Sequence, residues 1–241
     1  MPEIAIIAAL EREIDPLLKS WRNTDQEYSG KRLRFYSGEN CVAVCGGIGP
    51  VAGRRAAEAA VALYRPNMLV SVGFAGALES NLRVGEVLEL RWVIDASDGS
   101  RSDTGFGDGT LVSFSAVAGK EQKQKLANSY GARVVDMEAA AVAKSAQAHG
   151  LEFRAIKVVS DEIGFPIPPM ENFITNDGLF RSGRFAAHVV IRPWMWAAAI
   201  RLGRNSSKAG AALSVHLSRN LHGLRSSSPP LPASASRRDV L

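Results

Sequence analysis

Cysteine and histidine are scarce in this 241-residue sequence, which limits the chemistry that it can support. The two cysteines, Cys41 and Cys45, lie in one apolar run and are too few for a disulfide scaffold, so a reduced, cytoplasmic setting is the default expectation. The four histidines are scattered, and no Cys/His cluster has the spacing of metal ligands. The sequence therefore predicts no bound metal.

Long uncharged apolar runs are also missing. No run reaches the roughly 18 residues of a membrane-spanning helix. The first residues, MPEIAIIAALERE, lack the basic region of a secretory signal. Hydrophobic residues make up 46% of the chain and charged residues 22%, which are globular proportions and exclude a fully disordered protein.

Positive charge is concentrated in the last quarter of the sequence. Residues 181–241 contain ten Lys and Arg and a single acid, Asp239, which fits a surface that faces an anionic partner. Residues 226–241 have low complexity, so we expect one domain over residues 1–222 and a disordered basic tail at 223–241. No stacking module or recognition motif accompanies the basic charge, so we do not expect nucleic-acid binding.

Short apolar runs alternate with helical patterns along the chain. Strands are predicted at residues 3–9, 33–37, 41–45, 68–72, 84–94, 111–118, 133–136 and 153–159. Helices are predicted at residues 10–21, 51–64, 120–130, 138–150 and 184–221, the last with a break at Arg192 and Pro193, and residues 97–109 read as a loop. This alternation predicts an α/β sheet covered by helices on both faces, with ligands bound beyond the carboxyl ends of the strands.

Five motifs occur in an order that resembles a known family. They are IIAALEREI, CGGIGPVAG, VSVGFAGAL followed by LRVGEV, VVDMEAAAVA and IKVVSDE. Together they resemble the purine nucleoside phosphorylase/nucleosidase superfamily, near its methylthioadenosine/S-adenosylhomocysteine nucleosidase branch, over about residues 1–165. The resemblance implies a three-layer fold with a mixed central sheet flanked by helices, no metal or organic cofactor, and a homo-oligomer, with a dimer favoured.

Three carboxylates acquire roles from this resemblance. Cleavage of a purine N-glycosidic bond needs an acid for the departing base and a base for the attacking water. By resemblance, Asp161 protonates the purine at N7, Glu13 activates water with Glu11 as its rival, and Glu138 accepts hydrogen bonds from the ribose hydroxyls. We also expect burial to help keep Asp161 protonated. From the residues alone, Asp161 could equally cap a turn, and the glutamates could be ordinary acids at helix N-termini.

Other positions are implied to contact the substrate. They are Met137 against the sugar, Ile48 and Gly49 in the glycine turn, Phe74, Ala75 and Gly76 beneath the purine and ribose, and Ser160 beside Asp161. The stretch that supplies an aromatic ring to the base in typical members is not recognisable. By position, Phe114, Ser115 and Val117 are the candidates for that contact.

Two positions depart from the pattern of phosphate-using members. Those members have an arginine near position 71 and a hydroxyl residue near position 74, where this chain has Ser71 and Phe74. Phosphate needs fixed cationic or N–H donors, so we expect water as the nucleophile. Arg54 or Arg55 could still supply charge, which leaves phosphate open as a co-substrate.

The sequence therefore predicts an enzyme that cleaves an adenosine-type nucleoside at its N-glycosidic bond. The alternatives are a phosphate-dependent phosphorylase and a nucleoside-binding protein without turnover, although the presence of all three carboxylates argues against the latter. The later segments LFRSGRF and RPWMWAAAIRLGRNSSKAGAAL resemble the hopanoid-associated phosphorylase-like group, and this resemblance implies removal of adenine from the lipid adenosylhopane. Residues 184–222, which interleave apolar side chains with arginines, are then either a helix packed on the sheet or a surface that contacts the inner membrane face.

Overall fold

The computed structural model describes residues 2–220, so the expected tail at 223–241 lies outside the described residues. Across residues 2–220 the strands are β1 Ile4–Ala8, β2 Arg22–Tyr28, β3 Lys31–Ser37, β4 Cys41–Cys45, β5 Met68–Ala77, β6 Val87–Leu90, β7 Trp92–Asp95, β8 Arg101–Asp103, β9 Thr110–Ser113, β10 Val134–Asp136 and β11 Glu152–Asp161. The helices are α1 Glu11–Leu18, α2 Pro50–Tyr64, α3 Lys120–Tyr130, α4 Ala139–Ala148, α5 Ser182–Val190 and α6 Pro193–Asn220, with a 3-10 turn at Glu171–Phe173.

All the described strands belong to one mixed sheet. Its main path runs in the order β2, β3, β4, β1, β5, β10, β9, β7 and β8, while β11 pairs with β5 and β6. The central strand β5 is parallel to β1 and β11 but antiparallel to β10. The predicted mixed sheet is therefore confirmed.

Helices cover both faces of this sheet. On one face, alanines of α2 and α4, including Ala56 and Ala143, pack on apolar strand residues such as Leu69. On the other face, Ile14 of α1 and Leu213 of α6 join the apolar side chains of the same strands. Small side chains let α2 and α4 approach the sheet closely, and the result is the predicted three-layer arrangement.

The two strands that bear predicted site residues are longer than expected. β5 continues through the glycine-rich segment to Ala77, and β11 includes Ser160 and Asp161 instead of ending before them. The physical reason is pairing, because the two strands run parallel from Glu152 opposite Met68 to Asp161 opposite Gly76. A hydrogen-bond ladder of this length keeps residues in the strand conformation even where their own strand propensity is weak.

Other sequence predictions differ in the middle of the chain. The strand predicted at 84–94 is divided into β6 and β7, which pair with different neighbours, and the predicted 97–109 loop contains the short strand β8. The strand predicted at 111–118 ends at Ser113, where the chain leaves the sheet. The polar edge strand β2 was not predicted, because only β3 pairs with it and its side chains are mostly exposed.

Candidate active site

A cavity of about 140 Å³ lies beside the last residues of β1, β5, β10 and β11. It is lined by nine of the ten positions proposed from the sequence. They are Glu13, Ile48, Phe74, Ala75, Gly76, Met137, Glu138, Ser160 and Asp161. The tenth, Gly49, contacts Glu138 through its backbone instead of lining the cavity. Residues that are far apart in the sequence thus meet at one place, as expected for ligand sites of α/β sheets.

Glu13 is held in the cavity wall by backbone donors. Its Oε2 accepts hydrogen bonds from the N–H groups of Ala9 at 3.0 Å and Leu10 at 3.1 Å, and its Oε1 accepts one from Phe74 at 3.4 Å. Burial raises the pKa of Glu13 despite these donors. The rival Glu11 is exposed and accepts a hydrogen bond from the Tyr36 hydroxyl outside the cavity lining, so the structure places only Glu13 at the site.

The carboxylate of Glu13 needs a glycine opposite it. Gly73 of β5 has a φ of +141°, and a Cβ built there would lie 2.8 Å from Oε2 of Glu13. Any side chain at this position would therefore meet the carboxylate while also straining the backbone. Gly73 belongs to the glycine-rich segment that the family resemblance singled out, although its contact with Glu13 depends on the pairing of β1 with β5.

Glu138 lies where β10 gives way to α4. It is the residue immediately before the first turn of α4, and its Oε1 accepts a 2.7 Å hydrogen bond from the N–H of Gly49. Burial, with a smaller effect from the charge of Asp136, raises the pKa of Glu138 to about 8. A carboxyl of this kind is poised to change its charge when a ligand brings new hydrogen-bond donors.

Asp161 is surrounded differently. Its Oδ1 accepts a 2.7 Å hydrogen bond from the Ser160 hydroxyl, and its Oδ2 is paired with the ammonium group of Lys123. The Asp161 carboxyl is thus held by a buried cation as well as by a hydroxyl, and the cation was not predicted. Lys123 lines the cavity and was not identified from the sequence.

A second buried ion pair lies behind the cavity. Lys157 of β11 donates to Asp136 at 2.8 Å and to the Ser71 hydroxyl at 2.9 Å. Burial opposes the charge on Lys157, but the neighbouring Asp136 and Glu138 outweigh it and raise the pKa of the lysine. Ser71, the position where phosphate-using relatives were expected to have arginine, is thus a buried partner of a lysine and does not line the cavity.

The four acids of this region consequently fall into two kinds. Asp136 and Asp161 are each paired with a buried lysine, whereas among residues 2–220 no ion pair within 4.0 Å involves Glu13 or Glu138. Carboxylates whose environments differ in this way can take different protonation states at one pH. The arrangement can hold a proton at one place and accept one at another.

The three residues predicted as candidates for contact with the base lie in two different cavities. Val117 lines the main cavity together with Ala116 and Ala118. Phe114 and Ser115 instead line a separate cavity of about 60 Å³, because the chain turns away from the sheet after Ser113. Phe74 is the one predicted aromatic residue that lines the main cavity.

The arginines considered for phosphate also lie elsewhere. Arg54 is exposed, and Arg55 donates to the backbone carbonyl of Asp177 at 3.0 Å, so neither lines the cavity. The arginine that does line it is Arg12, next to Glu13 on α1. Arg12 could not be singled out from the sequence, because α1 begins with a mixture of acids and bases.

The outer wall of the cavity is mainly apolar and comes from the last part of the described chain. It consists of Ile167, Met170 and Ile174 around the 3-10 turn, and Leu202 and Ser206 of α6. None of these residues was proposed from the sequence. Among residues 2–220, no group of three or more His, Cys, Asp or Glu side chains is placed to hold a metal ion.

Comparison with known proteins identifies the same family that the motifs indicated. The family model described as the Phosphorylase superfamily matches residues 3–119 and 110–180. The 5′-methylthioadenosine/S-adenosylhomocysteine nucleosidase of Staphylococcus aureus is 25% identical over 197 residues, covering 66% of this chain and 86% of that protein.

Solved structures share the fold. A 5′-methylthioadenosine nucleosidase from Arabidopsis thaliana has a TM-score of 0.72 at 15% identity, covering 95% of this chain and 98% of that one. The corresponding Helicobacter pylori 5′-methylthioadenosine/S-adenosylhomocysteine nucleosidase has a TM-score of 0.69 at 16% identity, covering 92% and 98%. Because the family match extends from residue 3 to residue 180 and the fold agrees, the chain belongs to the phosphorylase superfamily, as its five motifs predicted.

Proposed function

We propose that this protein is a purine nucleosidase, which hydrolyses the N-glycosidic bond of an adenosine-type nucleoside. The observation that carries the proposal is the meeting of Glu13, Glu138 and Asp161 in one cavity, although they come from three separate elements. Hydrolysis of this bond needs three groups: a base that activates water, a group that holds the sugar, and an acid that protonates the leaving purine.

Glu138 is proposed to hold the ribose. One of its oxygens is fixed by the N–H of Gly49, and the carboxylate retains capacity to accept hydrogen bonds from the two sugar hydroxyls. Met137 lines the cavity beside it and offers a soft apolar surface to the sugar ring. Hydroxyl donors favour the charged carboxylate, so sugar binding would offset the rise in the pKa of Glu138 that burial causes.

Glu13 is proposed to activate water. Three backbone N–H groups fix its orientation, and burial raises its pKa, which makes the carboxylate a stronger base than an exposed glutamate.

Asp161, whose Oδ1 accepts a hydrogen bond from the Ser160 hydroxyl, is proposed to face N7 of the purine. The negative charge that develops on the departing base is then met by a proton donor.

Water is favoured over phosphate because of the charges that line the cavity. Several carboxyl groups line the cavity, and of its two cationic side chains Lys123 is paired with Asp161 and Arg12 lies over the ring of Phe180, so neither is fixed to receive a phosphate anion. We therefore propose hydrolysis without phosphate as co-substrate. The test is adenine release from a series of 5′-substituted adenosines, in phosphate-free buffer and with added phosphate, in ¹⁸O-labelled water.

Hydrolysis requires ¹⁸O at C1 of the released sugar and a rate that is independent of phosphate. Strict dependence on phosphate, with sugar 1-phosphate as the product, would establish a phosphorylase instead. Binding of the nucleosides without any turnover would establish the nucleoside-binding alternative.

More specifically, the substrate is proposed to be a nucleoside with an apolar 5′ substituent, such as the lipid-linked nucleoside adenosylhopane. The apolar outer wall formed by Ile167, Met170, Ile174 and Leu202 supports this proposal. On the same helix α6, about two turns before Leu202, Trp194 is 77% exposed and Trp196 is 49% exposed. In a series of 5′-alkylthioadenosines, KM should fall as the alkyl chain lengthens; a KM that rises with length would favour a small substrate such as methylthioadenosine.

The exposed apolar residues of α5 and α6 are also proposed to contact an anionic membrane surface. The exposed apolar residues of α5, α6 and the turn between them are Val190, Ile191, Trp194, Trp196 and Ile200, and they are interspersed with Arg184, Arg192, Arg201 and Arg204. Interfacial helices combine apolar and basic side chains in this way. No helix among residues 2–220 is long and apolar enough to cross a membrane.

A homodimer is proposed from the family resemblance. Val51 and Leu63 of α2 are exposed apolar residues that an interface between subunits could cover. Light scattering of the purified protein tests the assembly, and a monomer at micromolar concentration would contradict it.

A further inference from the structure

Lys123 is a buried cation in the cavity that the three-carboxylate scheme does not use. Its side chain is 1% exposed, although it lies on α3, a helix that is otherwise polar. Lys123 and Leu126 are the two buried residues of that helix. A lysine that gives up its hydration inside a cavity is costly unless its charge has a use or a partner.

All three donor positions of this ammonium group point at acceptors on the β11 side of the cavity. Lys123 is paired with Oδ2 of Asp161 and donates to the backbone carbonyls of Glu162 at 2.9 Å and Asp161 at 3.4 Å. An ammonium group has three donors, so it is fully engaged with residues 161 and 162. Lys123 therefore reaches the substrate through Asp161.

The strand opposite leaves room for this pair. A Cβ built on Gly76 would lie 2.9 Å from Cε of Lys123 and 3.2 Å from Oδ2 of Asp161. Because β5 has no side chain at this position, the lysine can pass beneath it to the carboxylate. The pair is thus built into the wall of the cavity.

The same contacts bear on the source of the proton. The Ser160 hydroxyl lies 2.7 Å from Oδ1 of Asp161 and 3.3 Å from the carbonyl of Ala75, and with this hydroxyl donating to Oδ1 and Lys123 donating to Oδ2, both oxygens of Asp161 act as acceptors. A carboxylate that accepts at both oxygens does not itself carry the proton that the purine needs. The nearest group that does carry one is the ammonium of Lys123.

We propose that the acid of this enzyme is the pair of Lys123 and Asp161, with the proton stored on Lys123 and passed through Asp161 to the leaving purine. When the C1′–N9 bond breaks, its electron pair goes to the purine, Lys123 gives a proton to Asp161, and Asp161 passes a proton to N7. Water adds to C1′ and gives a proton to Glu13. Glu13 then releases that proton to solvent, and solvent returns a proton to the neutral Lys123. This inference rests on the proposed nucleosidase function.

Lys157 shows that burial of a lysine alone would not imply this role. It is equally buried, at 1% exposure, but its partners are Asp136 and Ser71, and it does not line the cavity. Lys123 differs because its carboxylate partner lines the cavity and is the proposed contact of the base. Lys123 is therefore a positioning and proton-supplying residue that acts through Asp161.

The test compares two leaving groups in the Lys123→Met variant. Adenosine needs protonation of its base, whereas para-nitrophenyl riboside releases a nitrophenolate that leaves without a proton. We expect kcat/KM for adenosine to fall by about 10²- to 10⁴-fold, the usual contribution of a general acid. The rate with the nitrophenyl riboside should change by no more than about threefold on the same basis.

The matched control is Lys125→Met, the same change at an exposed position of the same helix, which should leave both rates unchanged. Glu138→Gln should lower both rates, because both substrates contain the ribose. An equal loss for both substrates in Lys123→Met would mean that the lysine is only structural, and would overturn the proposal. Unchanged adenosine turnover in that variant would overturn it as well.

A second variant covers the case in which Lys123→Met does not fold. Lys123→Arg keeps the positive charge, but a guanidinium group does not give up its proton. We expect the same selective loss with adenosine; full activity of Lys123→Arg would show that a fixed charge suffices and would overturn proton storage on Lys123. The proposed function is wrong if the wild-type enzyme cleaves the nitrophenyl riboside but no purine nucleoside. If only the role of Lys123 is wrong, the wild-type enzyme still cleaves purine nucleosides.

Discussion

The backbone N–H of Gly49 donates a 2.7 Å hydrogen bond to Oε1 of Glu138, and this contact joins the N-terminus of α2 to the N-terminus of α4. The N-terminal end of a helix has a positive electrostatic potential, which favours a carboxylate between two such ends. The contact fixes one oxygen of Glu138 and thereby orients the other. It also removes the carboxylate from water, which has measurable consequences for its protonation.

Stability should depend on pH through Glu138. Its pKa in the folded protein is about 8 against an ordinary value of 4.5, so between these values the folded state binds more protons than the unfolded state. The free energy of unfolding should therefore fall as the pH rises through this window, by at most about 1.4 kcal/mol per pH unit for one group. In Glu138→Gln this fall should be shallower.

Urea unfolding across the same pH range measures the two slopes. Glu121→Gln, an exposed acid in the first turn of α3, is the control and should keep the wild-type slope. The prediction is contradicted if Glu138→Gln and wild type lose stability in parallel. Glu13, whose pKa burial also raises, accounts for a remaining slope of the same sign in Glu138→Gln.

The pair of Lys123 and Asp161 should show non-additive effects. Asp161→Asn leaves Lys123 as an uncompensated buried charge, which costs about 3–5 kcal/mol of stability, and it removes the carboxylate proposed to face the base. Adding Lys123→Met should recover much of that stability. It should not recover turnover of adenosine, which remains about 10²- to 10⁴-fold below wild type.

Thermal unfolding and adenine release from the four proteins of this double-mutant cycle measure the two effects separately. Recovery of turnover together with stability would show that the single variants fail only because they unfold. Near wild-type turnover by Asp161→Asn alone would remove the acid assignment.

Gly73→Ala should damage both stability and turnover. The backbone φ of +141° disfavours any side chain, and the new Cβ would lie 2.8 Å from Oε2 of Glu13. We expect a loss of more than about 1 kcal/mol in stability. Displacement of the carboxylate should lower kcat by about 10²-fold.

Gly85→Ala is the matched control for backbone strain. Gly85 has a φ of +92° but lies before β6 and does not line the cavity. This variant should lose stability and keep kcat at temperatures where it is folded. If the two variants lose kcat equally, the effect of Gly73→Ala does not act through Glu13.

Binding to anionic vesicles should depend on the arginines of α6. Each arginine near an anionic surface contributes about 1 kcal/mol, so neutralising Arg201 and Arg204 together should weaken binding about 30-fold. Co-sedimentation at low and high salt measures this, with Lys120→Gln/Lys125→Gln on α3 as the control of equal charge. Absence of binding at low salt would mean that the region packs as an ordinary helix.

The sequence predicted those parts of the site that depend on local motifs. The segments around Glu13, Glu138 and Asp161 each have a recognisable pattern, and parallel strands bring their ends together. Lys123 could not be distinguished from Lys120 and Lys125, because all three belong to one polar helical pattern. Its one local signal is the i, i+3 spacing to Leu126, which puts both residues on the same face of α3.

Other features depend on contacts between distant segments. The length of β5 and β11 is set by their mutual pairing, and the outer wall of the cavity depends on where α6 crosses the sheet. Residues such as Met170 and Leu202 have no neighbouring motif that would mark them as cavity residues. For the same reason, the separation of Phe114 from the main cavity could not be read from its position alone.

The outer wall has a consequence for how this protein can diversify. Ile167, Met170 and Ile174 flank the 3-10 turn and Leu202 belongs to α6, whereas Glu13, Glu138 and Asp161 lie on β11 or in the first turns that follow β1 and β10. Helix α6 also packs against the backbone of Glu13, since a Cβ built on its Gly210 would lie 3.5 Å from the Glu13 carbonyl oxygen. Under the proposed function, selection for a new 5′ tail on the nucleoside therefore acts on residues 167–174 with less effect on the three carboxylates than exchange of α6.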